Sequence, residues 1–133
     1  MAKRFSFLVT VLFLSVVAFA QTKKTAWKEY NSFNTLMAET FHNFEDGNFV
    51  PVKTKSAELV SKAQTWSKSA YPVGYDKTAI APLLTKLVDQ TLVLDQAVKA
   101  GVANEEVGKI LSDLHKQFLK IYDLCTDAKH EQH

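Results

Sequence analysis

The sequence predicts an all-α fold: an antiparallel up-and-down four-helix bundle that follows a cleaved signal peptide. Apolar residues recur three and four positions apart in four separate stretches, the period of a helix with one face on a core. The strict alternation that marks a half-buried strand is missing. The stretches are joined by short segments bearing Gly, Pro or Asn, short enough to make sequential helices antiparallel neighbours.

Residues 1–20 read as a secretory signal. Lys3 and Arg4 begin it, an apolar run from Phe5 to Val17 follows, and Ala18-Phe19-Ala20 places small residues at both cleavage-site positions before Gln21. The run is short for a bilayer span, and no Cys follows the cleavage site to accept a lipid. The expected product is a periplasmic or secreted protein with no membrane attachment after cleavage, and residues 21–133 are expected to form one bundle domain.

Helix 1 is expected from about Thr25 to Glu45. Trp27, Tyr30, Asn34, Met37, Phe41 and Phe44 form its stripe, with Phe33 widening it. Asp46-Gly47-Asn48 ends the helix, because Gly accepts the left-handed conformation that follows a last turn. Pro51 suits the first turn of helix 2, where its missing N–H costs nothing. Val52, Leu59, Ala63 and Trp66 then face inward. Tyr71-Pro72-Val73-Gly74 is a loop. Helix 3 presents Leu84, Leu87, Thr91, Leu94 and Val98; Pro82 belongs in its first turn or kinks its start, and Gly101 closes it. Helix 4 takes Asn104 as its N-cap, with Glu105 and Glu106 at the positive end of the helix dipole. Val107, Leu111, Leu114, Phe118, Ile121 and Cys125 repeat at 4-3-4-3-4, the spacing of a core seam.

Charge and cysteine content exclude several functions. The chain carries 16 Lys and Arg against 14 Asp and Glu. Two of the cations lie in residues 1–20, so the remainder is formally neutral and the basic pI belongs largely to the leader. No basic cluster interleaved with aromatics suggests a nucleic-acid partner. Cys125 is alone, which rules out an internal disulfide. Its place on the helix 4 seam suggests a buried, inert thiol, against the reading of a reactive thiol near a fraying end. "LCTDAKH" does not supply the Cys-x-x-Cys-His step of covalent haem.

Catalytic signatures are absent as well: no G-x-S-x-G, no P-loop, no H-E-x-x-H and no pair of Glu-x-x-His steps of the kind that builds di-iron bundles. A non-enzymatic protein is the expectation. The candidate chemistry gathers around "ETFHNFEDGNF", where His42 lies near the C-terminal end of helix 1, with Glu39 and Glu45 three residues to either side. His115, on helix 4, lies about 10 Å lower along the bundle by residue count. His42, Glu45 and His115 are the candidate metal ligands, for Zn or Cu, which imidazole and carboxylate suit. The competing reading makes His42 a rim residue favoured by the helix dipole and the flanking carboxylates. Met37, nearer the level of His115, raises a third reading, a Met/His axial pair for non-covalent haem, against which stands a core already filled with aromatics. His130 and His133 in the tail form at most a weak metal clip.

The helix 1–2 corner "FHNFEDGNFVPVK" and the terminal helix "LHKQFLKIYDLC" resemble small exported bundles of the cytochrome c-prime and soluble b-type cytochrome architecture. The resemblance implies the fold alone, since the haem attachment motif is missing. More closely, the chain is similar to small exported four-helix-bundle proteins in which a His-x-x-Glu step before a Gly turn accompanies a His and a Cys on the last helix. Here these are His42, Glu45, Gly47, His115 and Cys125. That likeness favours metal binding and implies no reaction. The protein partner and oligomeric state are not legible.

Overall fold

The computed structural model describes residues 25–126, so the expected signal segment, 1–20, and the His130 and His133 clip lie outside the described residues. Four helices fill that span: α1 (Lys28–Glu45), α2 (Val50–Lys68), α3 (Lys77–Ala100) and α4 (Asn104–Thr126). They pack in chain order, α1 on α2, α2 on α3 and α3 on α4, and α4 returns to α1 across a much sparser seam. This is the packing of an up-and-down bundle.

The helix ends follow from local chemistry. Gly47 adopts φ 85° after α1; its N–H donates to the Phe44 carbonyl and the Asn48 N–H to the Asn43 carbonyl. Gly101 adopts φ 74° after α3, with the same pair of bonds from Gly101 and Val102 to Val98 and Ala97. Both are Schellman closures, which give the last carbonyls of a helix their partners. Asp76 caps α3 by accepting from the Ala79 N–H at 3.2 Å. Pro82 therefore falls in the second turn of α3, inside the helix rather than in its first turn. Asn104 is the first residue of α4 and not its cap, because the Ala103 carbonyl accepts from the Val107 N–H.

Burial matches the expected faces of α2 and α4 and corrects that of α1. Val52, Leu59, Ala63 and Trp66 are fully buried, and the whole α4 seam from Val107 to Cys125 is buried as well. On α1 the stripe is turned: Phe33, Leu36, Met37 and Thr40 face the core, whereas Asn34, Phe41 and Phe44 are only partly buried. Thr40 is tolerated there because its hydroxyl donates to the Leu36 and Met37 carbonyls of its own helix. Trp27 precedes α1 in extended backbone and seals one end of the bundle. Its Nε1–H donates to Ser69 Oγ at 2.9 Å, and its ring lies 4.7 and 4.8 Å from those of Tyr71 and Tyr75.

One buried polar link was invisible in the periodicity. Ser56 of α2 donates to Asp95 Oδ1 of α3 at 2.7 Å, and Lys99 Nζ meets Asp95 Oδ2 at 2.8 Å. The Lys99 hydrogen bond holds the Asp95 carboxyl below its ordinary range; burial opposes this and the Ser56 bond adds to it. Asp95→Ala is expected to cost about 1–3 kcal/mol at neutral pH, since it leaves the buried Ser56 hydroxyl without its acceptor. A carboxyl with a depressed folded pKa stabilises above its unfolded pKa of about 3.9 and loses that contribution as pH falls through the folded value. The gap between wild type and variant in thermal melts should therefore narrow at the acid end. An equal gap at neutral and strongly acidic pH would show that the charge contributes nothing.

Candidate functional site

The sparse α1–α4 seam carries the site. Phe33 meets Phe118 at one level of this seam, with ring centroids 5.5 Å apart. Phe44 meets Gly108 nearer the other end, where a Cβ on residue 108 would stand 2.7 Å from Phe44 Cε1. Residue numbers rise on α1 as they fall on α4, so the two helices are antiparallel. Glycine at 108 is what admits the Phe44 ring.

Between these levels the Phe41 ring lies flat on the His115 imidazole, centroids 3.7 Å apart and planes 7° apart. Beside this stack a shallow notch of about 250 Å³ opens to solvent, and Met37, His42, Glu45, His115 and Tyr122 are among the residues that line it. His42 Nδ1 stands 3.7 Å from Glu45 Oε1, too long for a hydrogen bond but an ion pair once the imidazole is protonated. Both side chains are largely in water, 79% and 55% exposed. Met37 is 1% exposed at the notch floor.

The structure thus places all three expected site residues on one notch. The count along the helix axes puts His42 and His115 well apart in level, and side-chain direction acts to narrow that gap. A helical Cα–Cβ bond tilts toward its helix N-terminus. On antiparallel helices that tilt carries His42 down and His115 up, toward each other. Glu39 does not join them: it turns to α2 and pairs with Lys55 at 2.8 Å. The stack on Phe41 and the place of Tyr122 were missed. The apolar spacing puts Phe41 on the core face of α1, and a partner on α4 has no signature in that spacing.

Burial lowers the His115 pKa, with the neighbouring Glu45 opposing the shift and His42 adding to it. A histidine held below its unfolded pKa is stabilised as the neutral form. That contribution is present above an unfolded pKa of about 6.5 and is lost as pH falls through and below it. Wild type should accordingly lose thermal stability between pH 7.5 and 5, and His115→Phe, which keeps a flat ring on Phe41, should lose less. Parallel losses in the two proteins would place the titration elsewhere.

Among the described residues, no group of three or more His, Cys, Asp or Glu side chains stands ready-made around a metal position. The same holds for membrane crossing: no described helix is long and apolar enough. Two larger grooves, of about 370 and 360 Å³, run along the α1–α2 face. Two of the three lysines that line them already have partners there, Lys62 on Ser32 at 2.8 Å and Lys55 on Glu39, and neither groove is lined by a histidine. Comparison of the chain with known protein families, with curated proteins and with solved structures gives no match. The site is therefore read from its own geometry.

Proposed function

We propose that this is an exported, non-enzymatic helical-bundle protein that binds a transition metal ion in the α1–α4 notch through His42, Glu45 and His115. The juxtaposition of two imidazoles and a carboxylate on one concave patch carries the reading. Burial supports it by favouring the neutral His115 ring, the form that offers a lone pair to a metal. His42 and Glu45 are exposed enough to turn onto an ion without disturbing the core. Export rests on the leader pattern of residues 1–20.

Titration of Zn and Cu ions into wild type, His42→Ala and His115→Ala tests the proposal. Stoichiometric binding by wild type, lost in each variant while helix content is unchanged, is the expected result. Equal binding by all three, or none, would favour a second reading, a cofactor-free interaction module. That alternative draws support from the His115–Phe41 stack, which gives His115 a packing role without any ion. A b-type haem is the weaker option: the notch, at about 250 Å³, lies below the roughly 300–1,000 Å³ usual for ligand pockets.

A further inference from the structure

We infer, building on that metal-binding reading, that the ion the notch favours is Cu(I), with the soft Met37 thioether joining the His42 and His115 imidazoles in place of the harder Glu45 carboxylate. Met37 lines the same notch as both histidines. Thioether sulfur is a soft donor that selects Cu(I) over harder divalent ions, and imidazole suits copper as well. Zn usually takes four N, S or O ligands in a tetrahedron. The notch lining holds three residues of the types Zn prefers, His42, Glu45 and His115, and they do not stand as a ready-made set, so a fourth ligand would have to come from water. A monovalent soft ion is satisfied by fewer donors, and two imidazoles with one thioether make such a set.

The surroundings point the same way. Phe41, Phe118, Leu119 and Tyr122 make much of the notch wall apolar. Moving an ion out of water is costly in such surroundings, and the cost rises steeply with its charge. Cu(I) therefore enters this notch at a lower desolvation cost than Zn(II) or Cu(II). The donor geometry is also adjustable. Met has three rotatable side-chain bonds and a polarisable sulfur, which suit it to adapt to an ion in the notch that it lines. His42, 79% exposed, is free to close from the solvent side.

Anaerobic competition between the full-length protein and a chromophoric Cu(I) chelator, with ascorbate present, tests this, alongside a Zn(II) titration. Met37→Leu is the informative variant, because it keeps the core volume nearly constant and so keeps the fold. Changes around metal ligands typically cost about 10–100-fold in affinity, and loss of a donor should weaken Cu(I) by at least that much. Zn(II) affinity should be unmoved. Copper X-ray absorption of the loaded wild type should show a sulfur neighbour that Met37→Leu lacks; the comparison also separates Met37 from Cys125. Tight Cu(I) binding that Met37→Leu leaves unchanged, or a sulfur signal that persists in it, would overturn the inference and leave the histidine site standing. Zn(II) binding without Cu(I) binding would do the same. Failure of wild type to bind either ion would overturn both.

Discussion

Trp66→Ala should destabilise the bundle by about 3–5 kcal/mol, the loss typical when a buried Trp leaves a cavity that its neighbours cannot fill. Trp66 has no exposed surface. Its ring lies 5.3 Å from Tyr30, 5.5 Å from Phe33, 5.9 Å from Trp27 and 6.3 Å from Phe118, centroid to centroid. It thereby joins α2 to α1, to α4 and to the residue that precedes α1. Four large rigid rings cannot all shift into the space a single indole vacates. Trp66 Nε1 is also buried with no hydrogen-bond partner, an unfavourable feature of the native state. Trp66→Phe removes that N–H as well as part of the ring, so it should cost much less than Trp66→Ala. Urea denaturation followed by circular dichroism measures both. A loss below about 1 kcal/mol for Trp66→Ala would show that the cluster relaxes freely and is not a packed core.

Phe118→Ala is the second large effect, expected at about 3 kcal/mol, the low end for a buried aromatic. Phe118 is 3% exposed and touches Tyr30, Phe33, Trp66 and Tyr122. It also lines the notch. The space it leaves opens toward water, so solvent entry offsets part of the void that a sealed cavity would impose. Because Phe118 and Trp66 are in contact, the double variant should lose less than the sum of the singles, with a coupling of about 0.5–3 kcal/mol. Strict additivity would mean that the two rings act in separate packing units.

What was legible in the sequence divides along the density of packing. On α2 and α4 a single run of spaced apolar residues marks the buried face, and Val52, Leu59, Ala63, Trp66 and the seam from Val107 to Cys125 lie where the period puts them. Gly47 and Gly101 were equally readable, since each follows a helical run at a position that calls for positive φ. On α1 hydrophobicity pulled the expected stripe toward Phe41 and Phe44. Those rings lie toward the sparse contact with α4, whereas Leu36 and the polar Thr40 are buried. A hydroxyl bonded within its own helix does not look like a core residue in a pattern of apolar letters. Ser56 and Asp95 escaped for the same reason, each being polar and separated by 39 residues. At the candidate site the sequence shows the residue types but not their proximity. A count along the axis ignores the opposed lean of side chains on antiparallel helices, and that lean helps to bring His42 and His115 to one notch.

The uneven closure of the bundle has a kinetic consequence. Its three dense interfaces all join helices adjacent in the chain, and only the thin seam joins the first helix to the last. Each dense pair forms by closing one short connection, at a small entropic cost. The chain can therefore assemble as a succession of local hairpins, the topology associated with rapid folding. On this topology the first and last helices, farthest apart in the chain, are expected to meet late, so substitutions on their seam should change the unfolding rate more than the folding rate. Chain connectivity would then separate the interfaces expected to set the folding rate from the seam that carries the candidate site.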